Sequence, residues 1–353
     1  MNDNVGFKVR SDLAIEVVDQ FFGEMKSKDN CVVKNEEMRH GLKVTCVDIM
    51  KECEERIGKK AGRYVSIDAS KVDLDDSDTL EIVRGELSDE LGKMIKYKKI
   101  TAESSCLIVG LGNEHVTPDA LGPLVVDDVI VTRHLFEFAP DEVDPKYREV
   151  SALAPGVMGL TGIETYDIIE SVVKRVKPGF LIVVDALAAR SVSRVNTVIQ
   201  MTDTGVAPGS GVGGRTRAIN EESLGIPVIS LGVPTVVDAV SITSDTVDLL
   251  LKHIGKHMNE KDRAYSKIVV SGVGKQEYRD EDMPDMKVRE EFMGRIGTLS
   301  DAEKRSFLEE VLAPSGFNMI VTPKNIDSEI SNLAKLISNA VNVAVHNEVE
   351  FSV

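Results

Sequence analysis

The sequence contains no tryptophan, few aromatic residues and no long hydrophobic run. Only 5% of its 353 residues are aromatic, so we expect an aliphatic core. No apolar run approaches the roughly 18 residues that a membrane-spanning helix needs, and the opening residues MNDNVGFKVRSD lack the apolar segment of a secretory signal. These absences predict a cytoplasmic protein with no membrane partner.

Cysteine is also scarce, and none of the four cysteines lies at the C-x-x-C spacing of a metal or redox motif. They are Cys31, Cys46, Cys53 and Cys106. Together with the missing secretory signal, this spacing predicts four reduced thiols. Cys106 lies in an apolar run and Cys31 has no basic motif beside it, so a cysteine nucleophile is disfavoured.

Positive charge is outweighed by negative charge. There are 42 Lys and Arg residues against 58 Asp and Glu, which gives a formal net charge of -16 and a pI near 4.9. A nucleic-acid-binding surface normally needs a basic face, so this balance argues against direct binding of nucleic acid. An acidic enzyme would instead attract a basic protein substrate.

Several catalytic signatures are missing. The six histidines form no H-E-x-x-H motif, and no serine lies in a G-x-S-x-G elbow. Residues Gly209–Gly214 match G-x-G-x-x-G, but Ala207-Pro208 precedes them and no acidic residue ends a second strand about 20 residues later. We therefore expect a structural loop, or one that closes over an extended peptide. Nucleotide or small-ligand binding is the weaker alternative, and we expect no cofactor.

From Ser104 onward, strand and helix patterns alternate. Apolar runs at Cys106–Val109 and 180–187 are typical of strands covered on both faces, and apolar periodicity predicts helices at 122–138 and 161–176. This alternation predicts an α/β fold with a mostly parallel central sheet and helices on both faces.

The flanking regions predict elaborations of that fold at the N-terminus and in the C-terminal half. Residues 261–293 are polar and irregular, which indicates an insertion in a single domain. The other predicted elements are strands at 42–50, 62–70, 149–156, 195–203 and 226–234 and helices at 11–28, 237–257, 301–312 and 325–346.

Two aspartates each follow an apolar strand. Asp119 comes after the glycine-bearing loop at 110–113, and Asp185 lies in the segment VVDALAARS. If their strands are neighbours, the carboxyl ends of those strands bring both carboxylates to one rim, where open α/β sheets place their sites. Two carboxylates that share a proton can act as base and acid in amide hydrolysis. The pair is therefore the predicted catalytic centre.

Both aspartates also have structural interpretations. A Thr-Pro pair before Asp119 is an ordinary helix start, and Asp185 could form a turn. The same two carboxylates could instead hold a divalent metal that activates water. Asp238, after the next strand, and Asn113, in the loop before Asp119, are candidate supporting residues.

Seven segments together resemble the germination proteases of endospore-forming bacteria, and the similarity runs from the N-terminus to about His346. They are VGLGNEHVTPDALGP, TRHLFEF, APGVMGLTGIET, VVDALAARS, APGSGVGG, LGIPVISLGVPTVVDAVSITSDT and APSGFNMIVTPK. The resemblance implies an aspartic-type endopeptidase whose two essential aspartates correspond to Asp119 and Asp185. It also implies a fold similar to that of hydrogenase-maturation endopeptidases, whose corresponding carboxylates bind nickel together with a histidine.

The same resemblance implies a biological role. Members of the family begin the degradation of small, acid-soluble, DNA-protecting spore proteins during germination. They are made as inactive tetrameric precursors that remove a short N-terminal propeptide by self-cleavage. For this chain the resemblance thus implies a homotetrameric zymogen in the spore core, whose partners are its own copies and those spore proteins.

The resemblance also implies a processing site. Substrates of the family are cut after an acidic and before an apolar residue, and Ser11–Glu16, SDLAIE, has that pattern. We therefore predict cleavage between Asp12 and Leu13, which makes residues 1–12 a propeptide and 13–353 a single peptidase domain. We expect the leader to occupy or prop the active-site groove until it is removed.

Overall fold

The computed structural model describes residues 11–24, 31–72, 76–208, 217–260, 278–312 and 319–346. These residues divide into two compact units. The larger unit draws on 8–189, 193–236 and 322–353, and the smaller unit draws on 190–192 and 237–321. The sequence predicted one domain with an insertion at 261–293. That segment lies in the smaller unit, and its first part, 261–277, is outside the described residues.

The larger unit is built around a mixed sheet. Its strands are β1 (Val32–Arg39), β2 (Leu42–Ile49), β3 (Gly62–Asp68), β4 (Cys106–Gly110), β5 (Val150–Leu153), β6 (Phe180–Ala189), β7 (Val198–Thr202) and β8 (Val228–Asp238). In space they follow the order β1-β2-β3-β7-β8-β6-β4-β5. Strand β4 pairs in parallel with β5 and β6, whereas β1, β2, β3, β7 and β8 pair antiparallel. The predicted α/β fold is confirmed, and an antiparallel half extends its parallel core.

Helices cover this sheet on both faces. In the larger unit they are α1 (Ala14–Glu24), α2 (Glu54–Ile57), α3 (Ser77–Tyr97), α4 (Leu121–Asp128), α5 (Arg133–Phe138), α6 (Met158–Thr161), α7 (Thr165–Val176), α8 (Glu221–Leu224) and α12 (Ile326–Val345). Helices α9 (Ala239–Glu260), α10 (Met286–Met293) and α11 (Asp301–Leu312) belong to the smaller unit.

Alternating side chains of the parallel strands build a separate core on each face. Ile108 of β4 and Ile182 of β6 belong to a cluster with α3, α4 and α12. Their neighbours Leu107 and Val183 point to the opposite face and belong to a cluster with α7. Both clusters are mainly aliphatic, as the lack of aromatic residues predicted.

The helix predicted at 122–138 is two helices, α4 and α5, separated by residues 129–132. In the gap, the N–H of Ile130 donates to Asn342 Oδ1 at 2.9 Å. This tertiary hydrogen bond replaces one that a continuous helix would make. Phe138, at the end of the predicted apolar periodicity, is 81% exposed.

The N-terminal elaboration contains a strand that the sequence did not predict. Most residues of β1 are exposed, so this edge strand shows no apolar alternation. Cys31, next to β1, forms a disulfide with Cys53, and their Cα atoms are 5.9 Å apart. The expectation of four reduced thiols is therefore wrong for this pair, while Cys46 and Cys106 are free.

The smaller unit is mainly helical. It contains α9 (Ala239–Glu260), α10 (Met286–Met293), α11 (Asp301–Leu312) and the short strand β9 (Ile320–Val321), which pairs with Val237–Asp238 at the end of β8. Helix α10 occupies residues that were predicted to be irregular. In the part of the chain that the structure describes, no helix is long and apolar enough to cross a membrane.

Candidate active site

Asp119 is presented by a tight loop after β4. Gly112 in this loop has a φ of +120°, and a Cβ atom on it would lie 1.9 Å from the carbonyl oxygen of Asp119, so the loop requires glycine there. The N–H of Asn113 donates to Asp119 Oδ2 at 2.9 Å and to the Asp119 carbonyl at 3.1 Å. The predicted helix start is a 3-10 turn at Thr117–Asp119, after which α4 begins at Leu121.

Asp185 lies inside β6, where the pairing with β4 ends. Gly110 of β4 is paired with Val184, and the N–H of Leu111 donates to the Val184 carbonyl at 2.8 Å. Beyond this point β4 turns into the Asp119 loop, whereas β6 continues to its end. The two strands are therefore parallel neighbours, which is the arrangement that the sequence argument required to bring both aspartates to one rim.

The electrostatics of the two carboxyl groups differ. Burial above all, and then the charges of Asp119 and Asp12, raise the pKa of Asp185 to about 8. Burial also raises the pKa of Asp119, but the N–H of Asn113 opposes this effect because it stabilises the ionised form. With a pKa of about 8, Asp185 is mostly protonated at neutral pH. Because the charge of Asp119 is one of the causes that raise this pKa, the two carboxyl groups interact electrostatically.

The predicted processing site lies beside this pair. The N–H of Asp12 donates to the Ala188 carbonyl at 3.0 Å, and the N–H of Ala188 donates to Asp12 Oδ2 at 2.9 Å. Asp12 is thus bound to the part of β6 that extends past β4, three residues after Asp185. Leu13, on the other side of the predicted cut, is fully buried. Residues 1–10 of the predicted propeptide lie outside the described residues.

Two further side chains hold the peptide bond between Asp12 and Leu13. Lys59 Nζ donates to the Asp12 carbonyl at 2.9 Å and to the Ser11 carbonyl at 3.0 Å. Gln200 Nε2 donates to the Asp12 carbonyl at 3.2 Å, and Gln200 Oε1 accepts from the N–H of Ala14 at 2.6 Å. The carbonyl that would be attacked therefore has two hydrogen-bond donors.

Neither Lys59 nor Gln200 was predicted from the sequence. Lys59 lies in a charged segment at 51–60 that resembles an ordinary solvated surface. Gln200 did offer a signal, because it is a polar residue in the middle of an otherwise apolar strand and is 6% exposed. A buried glutamine needs hydrogen-bond partners, and here they are the carbonyl of Asp12 and the N–H of Ala14.

The two candidate supporting residues have well-defined structural contacts. Asp238 belongs to the smaller unit, where it caps α9 by accepting from the N–H of Ser241 at 2.7 Å and pairs with Arg305 at 3.1 Å. These contacts account for the Asp238 carboxylate as a helix cap and an ion-pair partner. Asn113 contacts Asp119 through its backbone, while its side chain accepts from the N–H of His115 at 3.0 Å.

The structure also bears on the other chemistries. Within the described residues there is no group of three or more His, Cys, Asp or Glu side chains that could hold a metal, and the nearby His115 is exposed. Burial raises the pKa of the Cys106 thiol, which disfavours a thiolate nucleophile. Residues 209–216, with the glycine-rich motif, lie outside the described part of the chain.

Comparisons with known proteins identify the family of this chain. The sequence profile described as germination protease matches residues 11–352. The chain belongs to the germination protease family. Germination proteases of Bacillus velezensis, Priestia megaterium and Bacillus subtilis are 51%, 47% and 46% identical to it, over 97%, 98% and 97% of this chain and 95% of each relative. The chain is therefore a peptidase of this family, as the resemblance implied.

One solved structure is similar to a smaller part of the chain. It is a NiFe hydrogenase maturation protease from Thermococcus kodakarensis, 20% identical, with a TM-score of 0.25 over 37% of this chain and 74% of that one.

Proposed function

We propose that this germination protease homologue is an aspartic-type endopeptidase that uses Asp119 and Asp185 and cleaves after an acidic and before an apolar residue. Its first substrate is its own leader, which keeps it a zymogen. One observation carries the proposal: Asp12 is bound to the backbone of β6 while its charge raises the pKa of Asp185. An acidic residue of the leader thus lies close enough to the proposed acid to influence its pKa.

The chemistry follows from the two protonation states. Ionised Asp119 takes a proton from a water molecule as the water oxygen attacks the Asp12 carbonyl carbon. Protonated Asp185 then gives its proton to the Leu13 nitrogen as the C–N bond breaks. The products are a leader that ends in a carboxyl group and a chain that begins at Leu13.

The contacts of the leader also account for the acidic-apolar pattern. The N–H of Ala188 binds the Asp12 carboxylate, and a hydrogen bond to a charged acceptor is stronger than one to a neutral acceptor. Leu13 is buried, so an apolar side chain after the cut gains the free energy of leaving water. A substrate protein would need to present the same two residues in an extended segment.

The family resemblance supports the biological side of the proposal. We infer that the substrates in trans are small, acid-soluble, DNA-protecting spore proteins, that the enzyme acts in the spore core, and that it assembles as a homotetramer. The net charge of -16 is in keeping with this role, since an acidic enzyme would not compete with those proteins for DNA.

The direct test is to replace each catalytic carboxylate in the full-length chain. Asp119→Asn and Asp185→Asn should each slow the release of residues 1–12 and the hydrolysis of a spore-protein substrate by at least about 100-fold, because each removes an acid or base. The control is Asp167→Asn, an exposed residue of α7. Folded Asp119→Asn and Asp185→Asn variants that retain full activity would rule out the pair.

A second pair of variants tests the processing site. Asp12→Ala removes the acceptor for the Ala188 N–H, whereas Asp12→Asn keeps an oxygen in that position and removes only the charge. We expect Asp12→Ala to process more slowly than Asp12→Asn, and both more slowly than the parent. Release of residues 1–12 from Asp12→Ala at the parental rate would show that the cut lies elsewhere.

A further inference from the structure

The peptide bond between Asp12 and Leu13 is held from both sides by the same glutamine. Gln200 Nε2 donates to the carbonyl before the bond, at 3.2 Å, and Gln200 Oε1 accepts from the N–H of Ala14, at 2.6 Å. The side-chain amide therefore lies along the scissile bond and fixes its register. Gln200 is in the middle of β7, where strand pairing on both sides holds its backbone.

The second donor to the same carbonyl carries a positive charge. Lys59 follows α2 and the left-handed residue Gly58, and its Nζ reaches the Asp12 carbonyl at 2.9 Å. Desolvation lowers the pKa of Lys59 below its usual value, and the charges of Asp12 and Glu16 only partly oppose this shift. An ammonium group in such a poorly solvated position stabilises a nearby negative charge far more strongly than it would in water.

We propose that Lys59 and Gln200 form the oxyanion-stabilising site of this peptidase. This inference rests on the proposed function, because it takes the Asp12 carbonyl as the one attacked. When water adds to the carbonyl carbon, the C=O electron pair moves to the oxygen, and the resulting negative charge lies against Lys59 Nζ and Gln200 Nε2. Collapse of this intermediate restores the C=O bond and expels the Leu13 nitrogen, which takes the proton of Asp185.

In the scheme proposed above, Asp119 takes a proton from water and Asp185 gives its proton to the leaving nitrogen. Lys59 and Gln200 are the groups that contact the oxygen on which negative charge develops. Loss of one oxyanion donor typically costs about 100- to 1,000-fold in rate. We expect a loss of that size when either donor is removed.

The experiment measures the rate of self-cleavage of full-length variants and the amide protection of residues 13–18, next to the cut. Lys59→Met removes the charge and keeps the length of the side chain, and Lys59→Arg restores a charged donor. Gln200→Glu keeps the acceptor for the Ala14 N–H but presents an oxygen to the Asp12 carbonyl. The control is Lys60→Met, an exposed neighbour paired with Glu54. Mass spectrometry follows the chain that begins at Leu13, and hydrogen exchange reports the protection of residues 13–18.

We expect Lys59→Met and Gln200→Glu to slow self-cleavage by about 100-fold or more while the amides of residues 13–18 stay protected. Lys59→Arg should recover part of the rate, and Lys60→Met should behave like the parent. In the processed fraction, kcat for a peptide copying residues 8–18 should fall by a similar factor with KM little changed.

Three results would overturn the inference. Parental rates in folded Lys59→Met and Gln200→Glu would exclude a catalytic role. A rate loss that matches a loss of protection at residues 13–18 would also exclude it, because both residues would then only anchor the segment around the cut. Failure of Lys59→Arg to recover any rate would also count against it. Asp185→Asn separates this inference from the proposed function: if that variant also processes normally, the proposed function itself has failed.

Discussion

Replacing Asp185 with asparagine should stabilise the protein while removing its activity. Burial, Asp119 and Asp12 raise the pKa of Asp185 to about 8 in the folded chain, from its ordinary value of 3.8. The unfolded chain therefore loses this proton near pH 4, whereas the folded chain keeps it until about pH 8. Asparagine has nearly the same shape as the protonated acid and never acquires a charge. The parent therefore loses unfolding free energy as the pH rises, whereas the variant does not.

The sign and size of the effect depend on pH. Below about pH 4, Asp185 is protonated in both states, so parent and variant should be equally stable. Between about pH 4 and 8 the folded chain binds one more proton than the unfolded chain, and the unfolding free energy of the parent falls by up to about 1.4 kcal/mol per pH unit relative to the variant. The whole pKa difference sets an upper limit of about 6 kcal/mol. Relaxation around the charge reduces it, and we expect a gain on the order of 3 kcal/mol at pH 9.

Urea unfolding followed by circular dichroism at pH 4, 6, 8 and 9 measures this difference, provided that the dependence on urea is the same in both proteins. The exposed Asp167→Asn variant is the control and should follow the parent at every pH. If the unfolding free energies of parent and Asp185→Asn stay parallel from pH 4 to 9, Asp185 ionises at an ordinary pH in the folded chain. The proton-sharing arrangement would then be refuted.

Three further predictions follow from the same structure. Gly112→Ala should cost at least about 2 kcal/mol and most of the activity, because φ is +120° and the new Cβ would collide with the Asp119 carbonyl; a thermal melt and a peptide assay test this, and a stable, active variant would contradict it. Cys31→Ser should lower the unfolding free energy by about 3 kcal/mol, since it opens a loop of 22 residues; equal urea midpoints for parent and variant would argue against the disulfide. Exhaustive chelation should leave peptide hydrolysis unchanged, whereas a loss that added metal restores would favour the metal alternative.

The two strands that carry the candidate aspartates were predictable because they depend on local patterns. The apolar runs at 106–109 and 180–187 identify buried parallel strands, and a polar residue at the carboxyl end of such a strand occupies the position where these sheets bind substrates. Asp119 and Asp185 could be chosen on this basis. The pairing of Gly110 with Val184 shows that their strands are parallel neighbours, although Asp185 lies inside β6 and not at its carboxyl end. The catalytic role of the two aspartates stays a prediction.

The contacts of the leader were not predictable in the same way. Asp12 and Ala188 are 176 positions apart in the sequence. The periodicity of apolar residues predicts local structure, and it does not predict which distant backbone segments pair. The prediction of one helix at 122–138 was wrong for a similar reason. The N–H of Ile130 donates to the side chain of Asn342, which is far away in the sequence. Lys59 is indistinguishable from a surface lysine until the fold places the Asp12 carbonyl against it. In each case a distant partner overrides the local pattern.

The leader should also change the pH range over which the enzyme works. The charge of Asp12 is one of the causes that raise the pKa of Asp185, and Asp12 is bound to the backbone of Ala188 nearby. When the leader has been released, that charge is gone and water can enter, so the pKa of Asp185 should fall in the free enzyme. A bound substrate with an acidic residue before the cut restores both effects.

The pH dependence of the processed enzyme tests this coupling. The alkaline limit of kcat/KM reports the free enzyme, and the alkaline limit of kcat reports the complex with substrate. Because Asp185 must be protonated to act as the acid, kcat should decline near pH 8, whereas kcat/KM should decline at a lower pH. A peptide with asparagine in place of the acidic residue should bring the two limits closer together. Coincident limits for the acidic peptide would mean that the substrate charge does not reach Asp185, and that the acidic residue serves only for binding to the Ala188 N–H.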